Sequence, residues 1–185
     1  SQRLIERGVA VIYQEATLAP HLSTAENIFL GRLPTTRFGT VDWAQLERDT
    51  LAVGEQLGFH FQPRTPIRRL SVAQRQMVEI AKALSRDARL IVLDEPSAVL
   101  GDAELEGLFT VIRRLAQQGV SFIYISHRLN EVFEIADQVT VMKDGQVVGT
   151  DAVRNLTPAR LIQMMVGRQL SEIYPRRSPT FGREA

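Results

Sequence analysis

The strongest constraint on what this chain can fold into lies between residues 90 and 136. The apolar run LIVL at 90 to 93 precedes DAELEGLFTVIRRLAQQ, which carries Leu105, Leu108, Phe109, Ile112 and Leu115 on one helical face and ends at Gly119. A second apolar run, VSFIYIS, follows, and then RLNEVFEIA, a shorter helical stretch. Short strands that alternate with helices of this length cannot pair as hairpins. They predict a parallel sheet with right-handed crossovers and an α/β fold class, with ligands gathered beyond the carboxyl ends of the strands.

The chain on either side reads differently. VAVIY at 9 to 13 is a β-branched run ending at Gln14 and Glu15, as a buried strand entering a polar loop would be. STAE at 23 to 26 is a capping box for a short helix that Gly31 can close, and Asp42 with Gln45 opens another that runs to Gly58. The two prolines of FHFQPRTPIRR predict an irregular connection. Ser71 and Gln74 form a further S-x-x-Q box, with Met77, Ile80, Ala81 and Leu84 following at helical spacing. Residues 16 to 85 are therefore expected to be helical and poor in strands. Downstream, Asp144 and Gly145 sit between two β-rich runs as a hairpin turn, and Thr157 and Pro158 start a last helix that Gly167 can stop. RQLSEIYPRRSPTFGREA has no period and reads as a linker.

Charge and composition exclude several function classes. The 22 basic and 21 acidic side chains nearly cancel, so no global field favours nucleic acid or anionic lipid. With no cysteine, thiolate metal sites, disulfides and cysteine nucleophiles are out. No apolar run approaches the ~20 residues that a spanning helix needs, and SQRLIERGVAV has no secretory-signal pattern. It reads as a start in mid-domain.

Three places carry candidate chemistry. The first turn of the helix starting at Ser71 offers N–H groups, a hydroxyl and the positive end of a helix dipole to an anion, though a capping box alone is a common surface feature. Asp94 and Glu95 stand at the end of a buried parallel strand, where one acid can hold Mg²⁺ through its water shell and its neighbour can orient or deprotonate a water. His127, just past the next strand, is expected at the same sheet edge, where an imidazole can contact a phosphate or place a water. Gln14 can supply an amide to a metal or water. His21 and His60 have no such setting.

Taken together, in this order, these segments resemble the ATP-binding cassette ATPases. Gln14 matches the Q-loop glutamine, LSVAQ (Leu70, Ser71, Val72, Ala73, Gln74) the signature usually written LSGGQ, LIVLDEP the Walker B strand, SAVLG the D-loop region, and His127 the switch histidine. YQEATLAPHLSTAENIFLGR, VDWAQL, RQMVEIAKAL, ISHRLNEVFEIADQVTVMKDGQVV and MMVGRQL look more narrowly like the first cassette of tandem-cassette ATPases from bacterial ribose, galactose and xylose-type importers.

The resemblance implies a P-loop NTPase-like core, here partial, with an inserted helical subdomain. Residues 1–15 would be core, 16–86 the helical subdomain, 87–167 core again, and 168–185 a linker toward a second cassette. ATP and Mg²⁺ are the implied cofactors, with Glu95 as general base, His127 and Gln14 as catalytic partners, and Asp94 and Gln14 serving Mg²⁺. Leu70 to Gln74 would touch the ATP of an opposing cassette. Implied partners are membrane permease subunits, that second cassette and, indirectly, a periplasmic sugar-binding protein, at the inner face of a bacterial membrane. Nucleic acid is not expected.

Two departures stand out. Val72 and Ala73 replace the two signature glycines, and Gly101 stands where many D-loops have aspartate, with Asp102 next to it. No GxxxxGK(S/T) phosphate loop occurs, so the chain is expected to be an internal fragment, inactive alone. A soluble cassette acting on nucleic acid or the ribosome, and a non-hydrolytic regulatory cassette, are the alternatives.

Overall fold

The β-branched run after Gly8 forms β1 (Val9–Ile12), and the LIVL segment forms β2 (Leu90–Asp94) parallel to it, with Val11 opposite Val92. VSFIYIS supplies β3 (Ser121–Ile125), also parallel to β2, which places Asp94 opposite Ile125 and gives the order β1-β2-β3. The computed structural model describes residues 7–13 and 17–166. The chain divides into two compact units, one through His127 and one from Arg128.

Between β1 and β2 lie three helices. Ser23 caps α1 (Thr24–Ile28) with the reciprocal box that STAE predicts. In α2 (Trp43–Leu57), Asp42 accepts the Gln45 N–H, but the Gln45 amide donates to Asp49 at 2.6 Å, so half of that box forms. Gly58 ends the helix in the left-handed region at φ 69. The two-proline stretch remains irregular apart from a 3-10 turn at Ile67–Arg69. α3 (Val72–Leu84) then buries Met77, Val78, Ile80, Ala81 and Ala83. Leu84, expected on that face, is half-buried, because the wider buried stripe takes in Val78 and Ala83.

α4 (Asp102–Gln117) follows β2 and buries Leu108, Phe109, Val111, Ile112 and Leu115, while Leu105 near its exposed start is half-buried. α3 packs on β1 and α4 on β3. Side-chain alternation puts Ala10, Ile12, Ile91, Leu93, Phe122 and Tyr124 on one face of the sheet. Ile91 and Leu93 are fully buried, and the Phe109 ring meets Tyr124 edge-on at 6.0 Å. The opposite face, including Val9, Val11, Leu90 and Val92, is also apolar, yet Ile123 and Ile125 on it are 49% and 45% exposed.

The second unit contains α5 (Leu129–Ile135) and an antiparallel hairpin of β4 (Gln138–Lys143) and β5 (Gln146–Ala152). Asp144 and Gly145 have φ of 49 and 76, the pair of left-handed residues that a two-residue hairpin turn requires. α6 (Pro158–Val166) packs on both strands and buries Leu161. The sequence-predicted linker and the stop at Gly167 lie outside the described residues.

Candidate active site

The site grows from the end of β2. Pairing with β3 runs through Asp94, and the Glu95 N–H donates to the Ile125 carbonyl at 3.0 Å, one step beyond the strand. That bond holds Glu95 with φ of 46, a left-handed backbone that a non-glycine residue adopts only when its surroundings impose it. Asp94 still belongs to β2, so the two adjacent acids stand on different backbone conformations. Two residues past β3, the His127 Nδ1 lies 3.1 Å from Glu95 Oε1. A carboxylate accepts only, so the pair requires the proton on Nδ1 when Glu95 is ionised, leaving Nε2 for another partner. Both side chains are open to solvent, at 70% for His127 and 35% for Glu95.

Asp94 and Glu95 therefore reach the same sheet edge as His127, as the parallel reading predicts. Among the described residues, no group of three or more His, Cys, Asp or Glu side chains gathers to cage a metal. A lone strand-end carboxylate fits an ion held mainly by water and phosphate oxygens, the habit of Mg²⁺. Gln14 lies outside the described residues. In the segment after Glu95, Ser97 is 2% exposed while Val99 is 67% exposed. Gly101 caps α4 without a side chain of its own, and the Glu104 carboxylate accepts its N–H at 3.1 Å.

The signature-like segment lies at the start of α3 in the same unit. The Ser71 N–H donates to the Gln74 side chain at 2.9 Å, and the Gln74 N–H donates to Ser71 Oγ at 3.2 Å. The hydroxyl proton of Ser71 is not consumed by this box. Ser71 and Gln74 are exposed, and Val72 is 45% exposed, so its side chain projects outward from the first turn. The N–H groups of Val72 and Ala73 precede the helical ladder and have no carbonyl one turn earlier to meet.

Among the buried polar side chains that escaped the sequence reading are Glu79 and Asn27. Glu79, 7% exposed on α3, accepts the Thr17 N–H at 2.8 Å and the Thr17 hydroxyl at 3.1 Å. Asn27, fully buried on α1, binds Ala19 through both ends of its amide. Their partners lie 62 and 8 residues away, so no local spacing marks them.

A family model described as "ABC transporter" matches residues 1–98, more than half of the chain. The chain belongs to the ABC transporter family. It is 48% identical over 181 residues to the ribose import ATP-binding protein RbsA of Chelativorans sp. strain BNC1, covering 97% of this chain and 35% of that protein. It is 45% identical over 175 residues to the xylose import ATP-binding protein XylG of Thermoanaerobacter pseudethanolicus, covering 95% of this chain and 34% of that one. The chain thus spans about a third of the length of these curated relatives. Its fold matches an ATP-binding cassette of an ABC transporter in its ADP conformation, with a TM-score of 0.71 at 23% identity, covering 90% of this chain and 71% of that one. The ABC cassette assignment accounts for the parallel core and for the helices inserted between β1 and β2. No helix among the described residues is long and apolar enough to cross a membrane.

Proposed function

We propose that these residues form the water-activating edge and the donated signature turn of an ATPase cassette that energises monosaccharide import across a bacterial inner membrane. The observation that carries the reading is the Glu95–His127 pair, built on a left-handed backbone at the end of β2. The import role and the sugar class rest on similarity to the ribose and xylose import proteins.

In this reading, the Glu95 carboxylate accepts a proton from water as the water oxygen attacks the terminal phosphorus of ATP in line. The bond from that phosphorus to the bridging oxygen breaks, and ADP and inorganic phosphate leave. His127 holds one Glu95 oxygen through Nδ1–H, which fixes the carboxylate's direction, and leaves Nε2 to face the phosphate. Asp94, with Gln14, would hold Mg²⁺, whose role is to neutralise phosphate oxygens. Ser71 Oγ and the first amides of α3 would meet an ATP held by the opposing cassette, with Leu70, Val72, Ala73 and Gln74 framing that contact. The valine and alanine side chains keep backbone farther from phosphate than glycines would.

A phosphate-gripping GxxxxGK(S/T) loop does not occur in the 185 residues. The proposal therefore places nucleotide capture on another segment of a longer cassette, working on the cytoplasmic face with permease subunits, a second cassette and a periplasmic binding protein. These 185 residues alone should bind ATP weakly and hydrolyse essentially none. The decisive test is Glu95→Gln in the complete ATPase. Turnover should fall by about 10² to 10⁴ while ATP binding persists, the range expected for removal of a general base. Turnover at the wild-type level would remove Glu95 from that role.

A further inference from the structure

Glu79 is a buried acid in a largely apolar stretch of α3. Its neighbours along α3, Met77, Val78, Ile80 and Ala81, are all buried. A carboxylate is expensive to bury unless hydrogen bonds replace its water. Here a single oxygen, Oε1, takes both the N–H and the hydroxyl of Thr17. The bond lines a cavity of about 240 Å³ along β1 and α3, with Tyr13, Lys82 and Arg86 also in its wall.

Thr17 begins a segment fastened at further points. Ala19 is bonded to Asn27 on α1, and the Pro20 and Leu22 carbonyls accept from Arg68 and Ile67 just before the signature turn. The chain from Thr17 onward is thereby attached to the helices and to the entry of α3, with Glu79 as its anchor on that helix. Ser71 stands eight residues before Glu79, about 12 Å along a helix at the usual rise.

We propose that Glu79 is a positioning residue for ATP hydrolysis: its carboxylate locks the Thr17 segment to the signature helix, so that displacement of the one is delivered to the other. The proposal rests on the cassette reading above. It assigns to Glu79 a role in the rate of the assembled reaction and none in holding ATP.

The test compares Glu79→Leu, Glu79→Gln and Thr17→Val in the complete ATPase, with Glu95→Gln alongside. Leucine keeps the size and removes both acceptors, so kcat per folded molecule should fall about ten-fold with KM for ATP within about two-fold. Glutamine retains an acceptor oxygen and should keep at least about half of wild-type kcat, while Thr17→Val, losing only the hydroxyl bond, should lose about two-fold to three-fold. In the 185-residue chain, Glu79→Leu should speed amide exchange at Thr17 at least about ten-fold. An unchanged kcat per folded molecule in Glu79→Leu overturns the proposal, as does unchanged exchange at Thr17. If Glu79→Leu fails to fold, an undiminished kcat in Thr17→Val overturns it instead. Retained turnover in Glu95→Gln would refute the base assignment alone. Absence of turnover in the wild type would refute the cassette reading, and the tether would then be judged on Thr17 exchange.

Discussion

Asn27 offers the sharpest quantitative test of how the helical region is held together. It is completely buried; its Oδ1 accepts the Ala19 N–H at 2.7 Å, and its Nδ2 faces the carbonyls of Ala19, Leu22 and Ser23 at 3.1, 3.3 and 2.9 Å. The nitrogen has two hydrogens for three carbonyls, so the side chain is worth about three hydrogen bonds. At about 1 kcal/mol net for each, Asn27→Ala should cost about 3 kcal/mol. For a chain of this size that corresponds to a fall in thermal midpoint of roughly 6–12 °C. Asn27→Asp is the more telling variant because it is isosteric. It keeps the acceptor for Ala19 but turns an oxygen, and a charge, toward three carbonyl oxygens at a fully buried position. Electrostatics then outweighs shape, and Asn27→Asp should be less stable than Asn27→Ala by about 1–2 kcal/mol. Urea titration of both variants at neutral pH, monitored by circular dichroism, measures the difference. An Asn27→Asp protein as stable as Asn27→Ala would refute the network reasoning, and so would an Asn27→Ala cost below about 1 kcal/mol.

Two helix glycines should respond to alanine with opposite signs. A Cβ at Gly107, on the exposed side of α4, meets nothing within 4 Å, so Gly107→Ala should stabilise by about 0.5–1 kcal/mol. At Gly54 in α2 the same Cβ would lie 2.6 Å from the Phe59 carbonyl oxygen, and Gly54→Ala should destabilise by about 1–3 kcal/mol, with differential scanning calorimetry reporting both shifts. Ser71→Ala removes the acceptor for the Gln74 N–H and should cost about 1 kcal/mol in denaturant titration, a loss that Ser71→Asp should largely restore.

How much of this was legible in the sequence depends on the range of the interaction involved. The boxes at Ser23 and Ser71, the stop at Gly58 and the Asp144–Gly145 turn are written within four residues, and each forms where the residues indicate. The adjacency of Glu95 and His127 was readable one level up, since parallel strands of similar length finish at the same edge. Periodicity placed the buried faces of α3 and α4 but not their edges: Val78, Ala83 and Val111 are buried while Leu84 and Leu105 are half-exposed. Size does not decide burial at a stripe's margin; the neighbouring element does. Glu79 and Asn27 were invisible because their meaning resides in Thr17 and Ala19, residues with no marking of their own. Nor can an apolar run such as LIVL reveal which of its two sheet faces is covered. The left-handed backbone of Glu95 was equally hidden, for nothing in Asp-Glu-Pro demands it.

That last feature bears on how such sequences drift. A glutamate at φ 46 is held against its own preference at a cost on the order of 1 kcal/mol, whereas glycine occupies the same conformation freely. On the proposed chemistry, the position is kept acidic by selection on turnover against a standing pull from the fold. A lineage that no longer needed hydrolysis would gain stability by replacing Glu95 with glycine, so inactive descendants should retain the cassette and accumulate that change early. Glycine at this one position would then be a fossil of lost catalysis, readable from sequence without any assay.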